Sequence, residues 1–125
     1  KIMTTKLLTV FLISIIFLSG CSSSDTTAKT QKEFTIGISQ LAEHPALDDA
    51  RRGFEDGLKE LGIEAKIEYQ NAQGDIPTSL SIAQKFVKDG VDLIYAIATP
   101  AAQSAKQATA DIPVVFSAVT DPVDS

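Results

Sequence analysis

The sequence predicts an α/β fold, an open parallel sheet with helices on both faces, and three observations carry it. The first is an unbroken apolar run at residues 93–98, too short to span a membrane and too uniform for a half-exposed strand. That is how a strand buried on both faces of a parallel sheet reads. The second is alternation: strand-like segments at 34–39, 65–69 and 114–119 are separated by stretches with apolar residues at steps of three and four. The third is that the connections are only a few residues long and rich in Gly, Pro, Asn and Asp. A β-α-β-α-β-α-β order with right-handed crossovers then gives one sheet covered on both sides.

Residues 34–39 alternate apolar with small or polar side chains and form the first strand. After a turn at 40–45, Leu47, Ala50, Phe54, Leu58 and Leu61 make one apolar stripe of an amphipathic helix. Asp48 and Asp49 sit in its first turn, where the helix dipole favours negative charge, and Gly62 stops it. Residues 65–69 form a second strand whose polar Lys66 and Glu68 suit a place near the sheet edge. A second polar turn, 70–75, ends in Asp75 as a candidate cap. Ile76, Leu80, Ala83, Phe86 and Val87 supply the next stripe and Gly90 its stop. After the buried strand, Thr99 is expected as N-cap and Pro100 as first helical residue. Ala101, Ala102, Ala105 and Ala108 let that helix lie close to the sheet. A last strand, 114–119, runs into a turn at Thr120, Asp121 and Pro122.

All four turns at the carboxyl ends of the strands share one rim, which is where ligands bind in open α/β sheets. The turn at Thr99 also offers a helix N-terminus, whose free N–H groups and dipole suit a small anion or carboxylate.

The chain has 125 residues, 16 Asp and Glu against 11 Lys and Arg, and a formal charge of -5. An acidic balance argues against nucleic acid as a partner. One Cys excludes a disulfide within the chain. No nucleotide-binding glycine motif, nucleophile elbow or metal-ligand cluster occurs, so the sequence predicts no cofactor, no metal and no enzyme activity. His44, the lone His, reads as a solvated or capping residue of a surface turn. Asn71 and Gln73 serve a ligand or their own turn, and Asp121 caps the next helix or meets a ligand ammonium.

Lys1 and Lys6 precede an apolar run at 7–18, the pattern of an export signal and short of the roughly 20 residues of a spanning helix. It ends in Leu18-Ser19-Gly20-Cys21, which resembles the bacterial lipobox. That resemblance implies cleavage before Cys21, lipid attachment at its thiol, and anchorage on the extracytoplasmic face of a membrane in the cell envelope. Residues 22–32 have no apolar side chain larger than Ala and read as a flexible tether. The expected division is a signal peptide at 1–20, a lipidated Cys and tether at 21–33, and a partial α/β lobe at 34–125.

Four stretches carry a wider resemblance: I-G-I-S-Q-L-A-E-H-P-A-L-D-D-A-R-R-G-F at 36–54, Y-Q-N-A-Q-G-D at 69–75, I-A-T-P-A-A-Q at 97–103 and I-P-V-V-F-S-A-V-T-D-P-V at 112–123. Together they resemble the substrate-binding lipoproteins of ABC importers, in particular the branch that binds tryptophan and related aromatic amino acids. The resemblance implies a type I periplasmic binding protein, truncated here after about four strands of its N-terminal lobe. In that class a ligand sits between two lobes and the closed form docks on a membrane permease. It also implies a carboxylate site at Thr99, Ala101 and Thr120, with Ser39, Gln40, Asn71 and Asp121 lining the cleft. An extracytoplasmic sensor of the same fold, coupled to a membrane receptor, is the alternative.

Overall fold

The computed structural model describes residues 32–120; the leader, Cys21, nearly all of the tether, Asp121 and Pro122 lie outside the described residues. Four strands, β1 (Thr35–Gln40), β2 (Lys66–Asn71), β3 (Leu93–Ile97) and β4 (Val114–Ser117), alternate with three helices, α1 (Pro45–Glu60), α2 (Ile76–Asp89) and α3 (Thr99–Ala108). The strands are all parallel and lie in the order β2-β1-β3-β4. The open parallel sheet and its edge position for β2 are therefore as the sequence predicts.

Two cores flank the sheet. On one face Ile36, Ile38, Tyr95 and Ile97 pack under Leu47, Ala50, Phe54 and Leu58 of α1. Phe54 stacks on Tyr95 with ring centroids 4.1 Å apart, and the Tyr95 hydroxyl lies 2.7 Å from Ser117 Oγ and 3.3 Å from the Ala50 carbonyl. On the other face Ile82 and Phe86 of α2 and Ala101, Ala102 and Ala105 of α3 cover Ile94 and Ala96. The short alanine side chains bring α3 close. Gly37 does the same for α2, because a Cβ there would stand 2.7 Å from the fully buried Phe86 ring.

Sequence signals at the helix ends are realised in detail. His44 is the N-cap of α1, its Nδ1 accepting from the Ala46 N–H at 3.2 Å, with Pro45 following. Gly62 and Gly90 take positive φ at the ends of α1 and α2, the conformation glycine adopts without steric cost. Asp75 caps α2, accepting from the Thr78 N–H at 2.8 Å and the Thr78 hydroxyl at 2.5 Å.

Four expectations are corrected. Leu61 belongs to the spacing of the first stripe but is 76% exposed, since it lies beyond the end of α1. Ile76 is 58% exposed at the start of α2, whose buried residues are Ser79, Ile82, Ala83 and Phe86. Ile76 shares that face by helical spacing but is the first residue of the helix. β4 stops at Ser117 rather than Val119, because Ala118 turns the chain with φ 54°. Thr99 is the first residue of α3 and not its cap; that place belongs to Ala98.

At the amino edge of the sheet Asp92 holds the entering chain. Its carboxylate accepts from Lys32 Nζ at 2.6 Å and from the Thr35 N–H at 2.9 Å. The Lys32 bond, then the Thr35 bond, holds the Asp92 carboxyl below its ordinary value, as the Thr78 hydroxyl and then its N–H do for Asp75. A carboxyl whose pKa is lowered on folding adds stability above its unfolded value, near 4, and loses it as pH falls through the folded value. Acid titration should therefore show a limb opening below about pH 4 that becomes shallower in Asp75→Asn and Asp92→Asn. Unchanged limbs in both variants would remove these two contacts as its origin.

Candidate functional site

The carboxyl ends of the four strands form a continuous ledge, because each turn is bonded to its neighbour in the sheet. The Gly74 N–H of the second turn donates to the Leu41 carbonyl of the first at 2.8 Å, and the Leu41 N–H donates to the Ile97 carbonyl of β3 at 3.3 Å. The Ala98 N–H donates to the Ser117 carbonyl of β4 at 3.0 Å. The Thr120 N–H then donates to Thr99 Oγ1 at 3.1 Å, joining the third and fourth turns.

The third turn is the sharpest. Ala98 has φ 85° and ψ 155°, a region that only glycine enters easily and that costs another residue roughly 1–3 kcal/mol. It is held there from both sides: its N–H is bonded to β4, and its carbonyl accepts from the Ala102 N–H at 3.1 Å, the first bond of α3. Pro100 has no N–H, and the N–H groups of Thr99 and Ala101 precede that first bond, so helix geometry gives them no partner. The turn can receive a carboxylate through N–H groups, a hydroxyl and the positive end of a helix dipole.

The sequence candidates divide by position. Thr99, half-buried, and Thr120, exposed, are brought together at the open surface. Ala101 is fully buried beneath them. Ser39 and Gln40 are also fully buried, below the ledge. The Gln40 amide donates to Asp48 Oδ1 at 2.7 Å and to the Ala42 carbonyl at 2.8 Å, which shapes the first turn. Ser39 Oγ and Gln40 Oε1 have no hydrogen-bond partner among the described residues. Asn71 serves its own turn, accepting from the Gln73 N–H at 2.8 Å and donating to the Tyr69 hydroxyl at 3.1 Å. Asp121 lies outside the described residues. Sequence reasoning missed Ala98, where nothing but a glycine would have signalled positive φ, and the Thr99–Thr120 link, which joins residues 21 apart.

Among the described residues no group of His, Cys, Asp and Glu is placed to hold a metal ion, and no helix is long and apolar enough to cross a membrane. Two grooves, of about 190 and 170 Å³, lie beside Ile63, Ala65 and Ile67 and beside Ala102, Val114 and Phe116, and include no residue of the ledge.

Residues 35–125 match the family model described as ABC transporter substrate binding protein. The chain belongs to this family. Among individual substrate-binding relatives, it is 47% identical over 141 residues to a tyrosine-binding protein of Clostridioides difficile strain R20291, an alignment covering 99% of this chain and 40% of the relative. The ligand-free, open structure of a substrate binding protein with adhesive properties from Clostridium difficile is 53% identical with a TM-score of 0.70, covering 72% of this chain and 32% of that one. An ABC domain in complex with L-Trp from Streptococcus pneumonia is 40% identical, again with a TM-score of 0.70, covering 73% and 32%. The chain therefore spans well under half the length of the relatives it matches.

Proposed function

We propose that the chain is part of an extracytoplasmic solute-binding lipoprotein of an ABC importer, which takes up an aromatic amino acid and delivers it to a membrane permease. The observation that carries this reading is the start of α3, where Thr99 and Thr120 meet at a helix N-terminus on the sheet's carboxyl rim. That place suits the carboxylate common to all amino acids. The tyrosine named for one relative and the L-Trp bound in another support an aromatic side chain.

In this reading Thr99 and Thr120 take the carboxylate at the surface with Ala101 supporting them from beneath, while Asn71 and Asp121 line the wall around it and the buried Ser39 and Gln40 hold that wall from below. Residues 34–125 belong to the first of two lobes, and Cys21 carries the lipid that anchors it after residues 1–20 are removed. The protein makes and breaks no bond of its ligand; it binds, excludes water and releases.

The test is calorimetric titration of the full-length, delipidated protein with tyrosine, tryptophan, phenylalanine, leucine, ribose and the amide of whichever aromatic amino acid binds. An aromatic amino acid should bind, and its amide should bind at least about 100-fold more weakly, the loss expected when charge-assisted hydrogen bonds disappear. Equal affinity for the amide removes the carboxylate role. Binding of ribose in place of any amino acid removes the amino-acid reading.

A further inference from the structure

Arg51, on α1, is tied to the second turn of the ledge through a series of contacts. Its guanidinium lies over the Tyr69 ring of β2, 4.7 Å from the centroid, and its Nη1 donates to Glu55 Oε1 at 3.1 Å. A cation attracted to an aromatic face restrains the ring beneath it. That ring carries the hydroxyl that accepts from Asn71 Nδ2 at 3.1 Å, and Asn71 Oδ1 accepts from the Gln73 N–H at 2.8 Å. Gln73 and Gly74 both take positive φ, 54° and 80°. The Gly74 N–H then donates to the Leu41 carbonyl of the first turn at 2.8 Å. A helix is thus joined side chain by side chain to the rim.

Arg51 differs from its neighbour Arg52, which pairs with Asp49 on the exposed side of the helix. The Arg51 and Glu55 side chains are only 25% and 27% exposed, and Arg51 Nε is buried with no hydrogen-bond partner among the described residues. A buried donor left unpaired costs stability that an apolar side chain of the same reach would not. Packing alone therefore does not account for an arginine at this place. We propose that Arg51 is a positioning residue for ligand binding: it fixes the Tyr69 ring, Tyr69 fixes the Asn71 amide, and Asn71 holds the second turn in the shape the ledge presents to an amino acid. This rests on the binding role proposed above for the ledge. Gln73 occupies a backbone region that a non-glycine side chain enters at a cost, so the turn relaxes when the bond from Asn71 is loosened.

Two measurements on the full-length, delipidated protein test this, with circular dichroism to check that each variant keeps the fold. The first needs no ligand: amide hydrogen exchange at Gln73 and Gly74 should quicken about tenfold in Arg51→Met, which keeps the stem and removes the cation, and in Tyr69→Phe, which keeps the ring and removes the hydroxyl. Amides of β1 and β3 should keep their protection. The second is calorimetric titration with L-tyrosine and L-tryptophan. Affinity should fall about three- to tenfold in each variant, the scale of one neutral hydrogen bond. The double variant should lose little more than either single one, because the two residues act in series. Arg51→Lys, which returns a cation to the ring, should recover part of the loss, and Arg52→Ala, which removes an equal charge from the same helix, should change neither measurement. Unchanged exchange at Gln73 and Gly74 in Arg51→Met overturns the proposal whatever the ligand does. Quickened exchange with full affinity also overturns it, since the turn would then be loosened without consequence for binding. A wild type that binds neither amino acid fails the proposed function instead, and exchange alone then decides whether Arg51 positions the turn.

Discussion

Phe86→Ala should lower the protein's unfolding free energy by about 3–5 kcal/mol in chemical denaturation, the range for emptying a fully buried aromatic site. The ring is completely buried and lies at the centre of the core on the α2 and α3 side of the sheet. Its place depends on Gly37, where any Cβ would stand 2.7 Å from two ring atoms. Gly37→Ala should therefore cost about 1–3 kcal/mol by overpacking, although alanine otherwise suits a strand better than glycine. The double variant is the sharper experiment. With the ring gone, the added methyl no longer collides and takes up part of the cavity, so the two losses should fall well short of adding. Strict additivity would show that Gly37 and Phe86 act separately and that the close approach of α2 to β1 rests on something else.

The second large effect concerns the ledge. Thr99→Val keeps the shape of the side chain and removes the oxygen that accepts from the Thr120 N–H. Affinity for the aromatic amino acid should fall about 10- to 100-fold, since one hydrogen bond to a charged group contributes about 1.5–3 kcal/mol. Stability should change by no more than about 1 kcal/mol, because the lost bond is a single neutral one near the surface. Thr99→Ser, which keeps the hydroxyl, should bind nearly as the wild type does. Full affinity in Thr99→Val would leave only backbone groups as carboxylate donors at this turn.

The fold was legible because its signals are local. The β3 run, the glycines at 62 and 90, and the Asp75 cap each act through their own residue's sterics or hydrogen bonding, and each appears where the sequence places it. Leu61 and Ile76 misled for a physical reason: helical spacing continues to the last residue, whereas the sheet beneath it does not. The candidate site was legible only as a region. Its rim follows from topology, but which hydroxyls reach the surface depends on pairings between distant residues, as Thr99 with Thr120 and Gln40 with Asp48 demonstrate. Ala98 gave no sign at all, since its conformation is imposed by β4 on one side and α3 on the other.

The grip of Asp92 on Lys32 and Thr35 gives the lobe a direction. The chain enters at the edge where the strands begin, and β1 and β3 run five or six residues before reaching the ledge. At about 3.3 Å per residue, the ledge stands some 16–20 Å beyond the point of entry. With the proposed anchorage through the residues before Lys32, tension would act at one end of the lobe and the proposed ligand would be received at the other. A pull along that line would be carried lengthwise by the strands and would leave the turns of the proposed site unloaded.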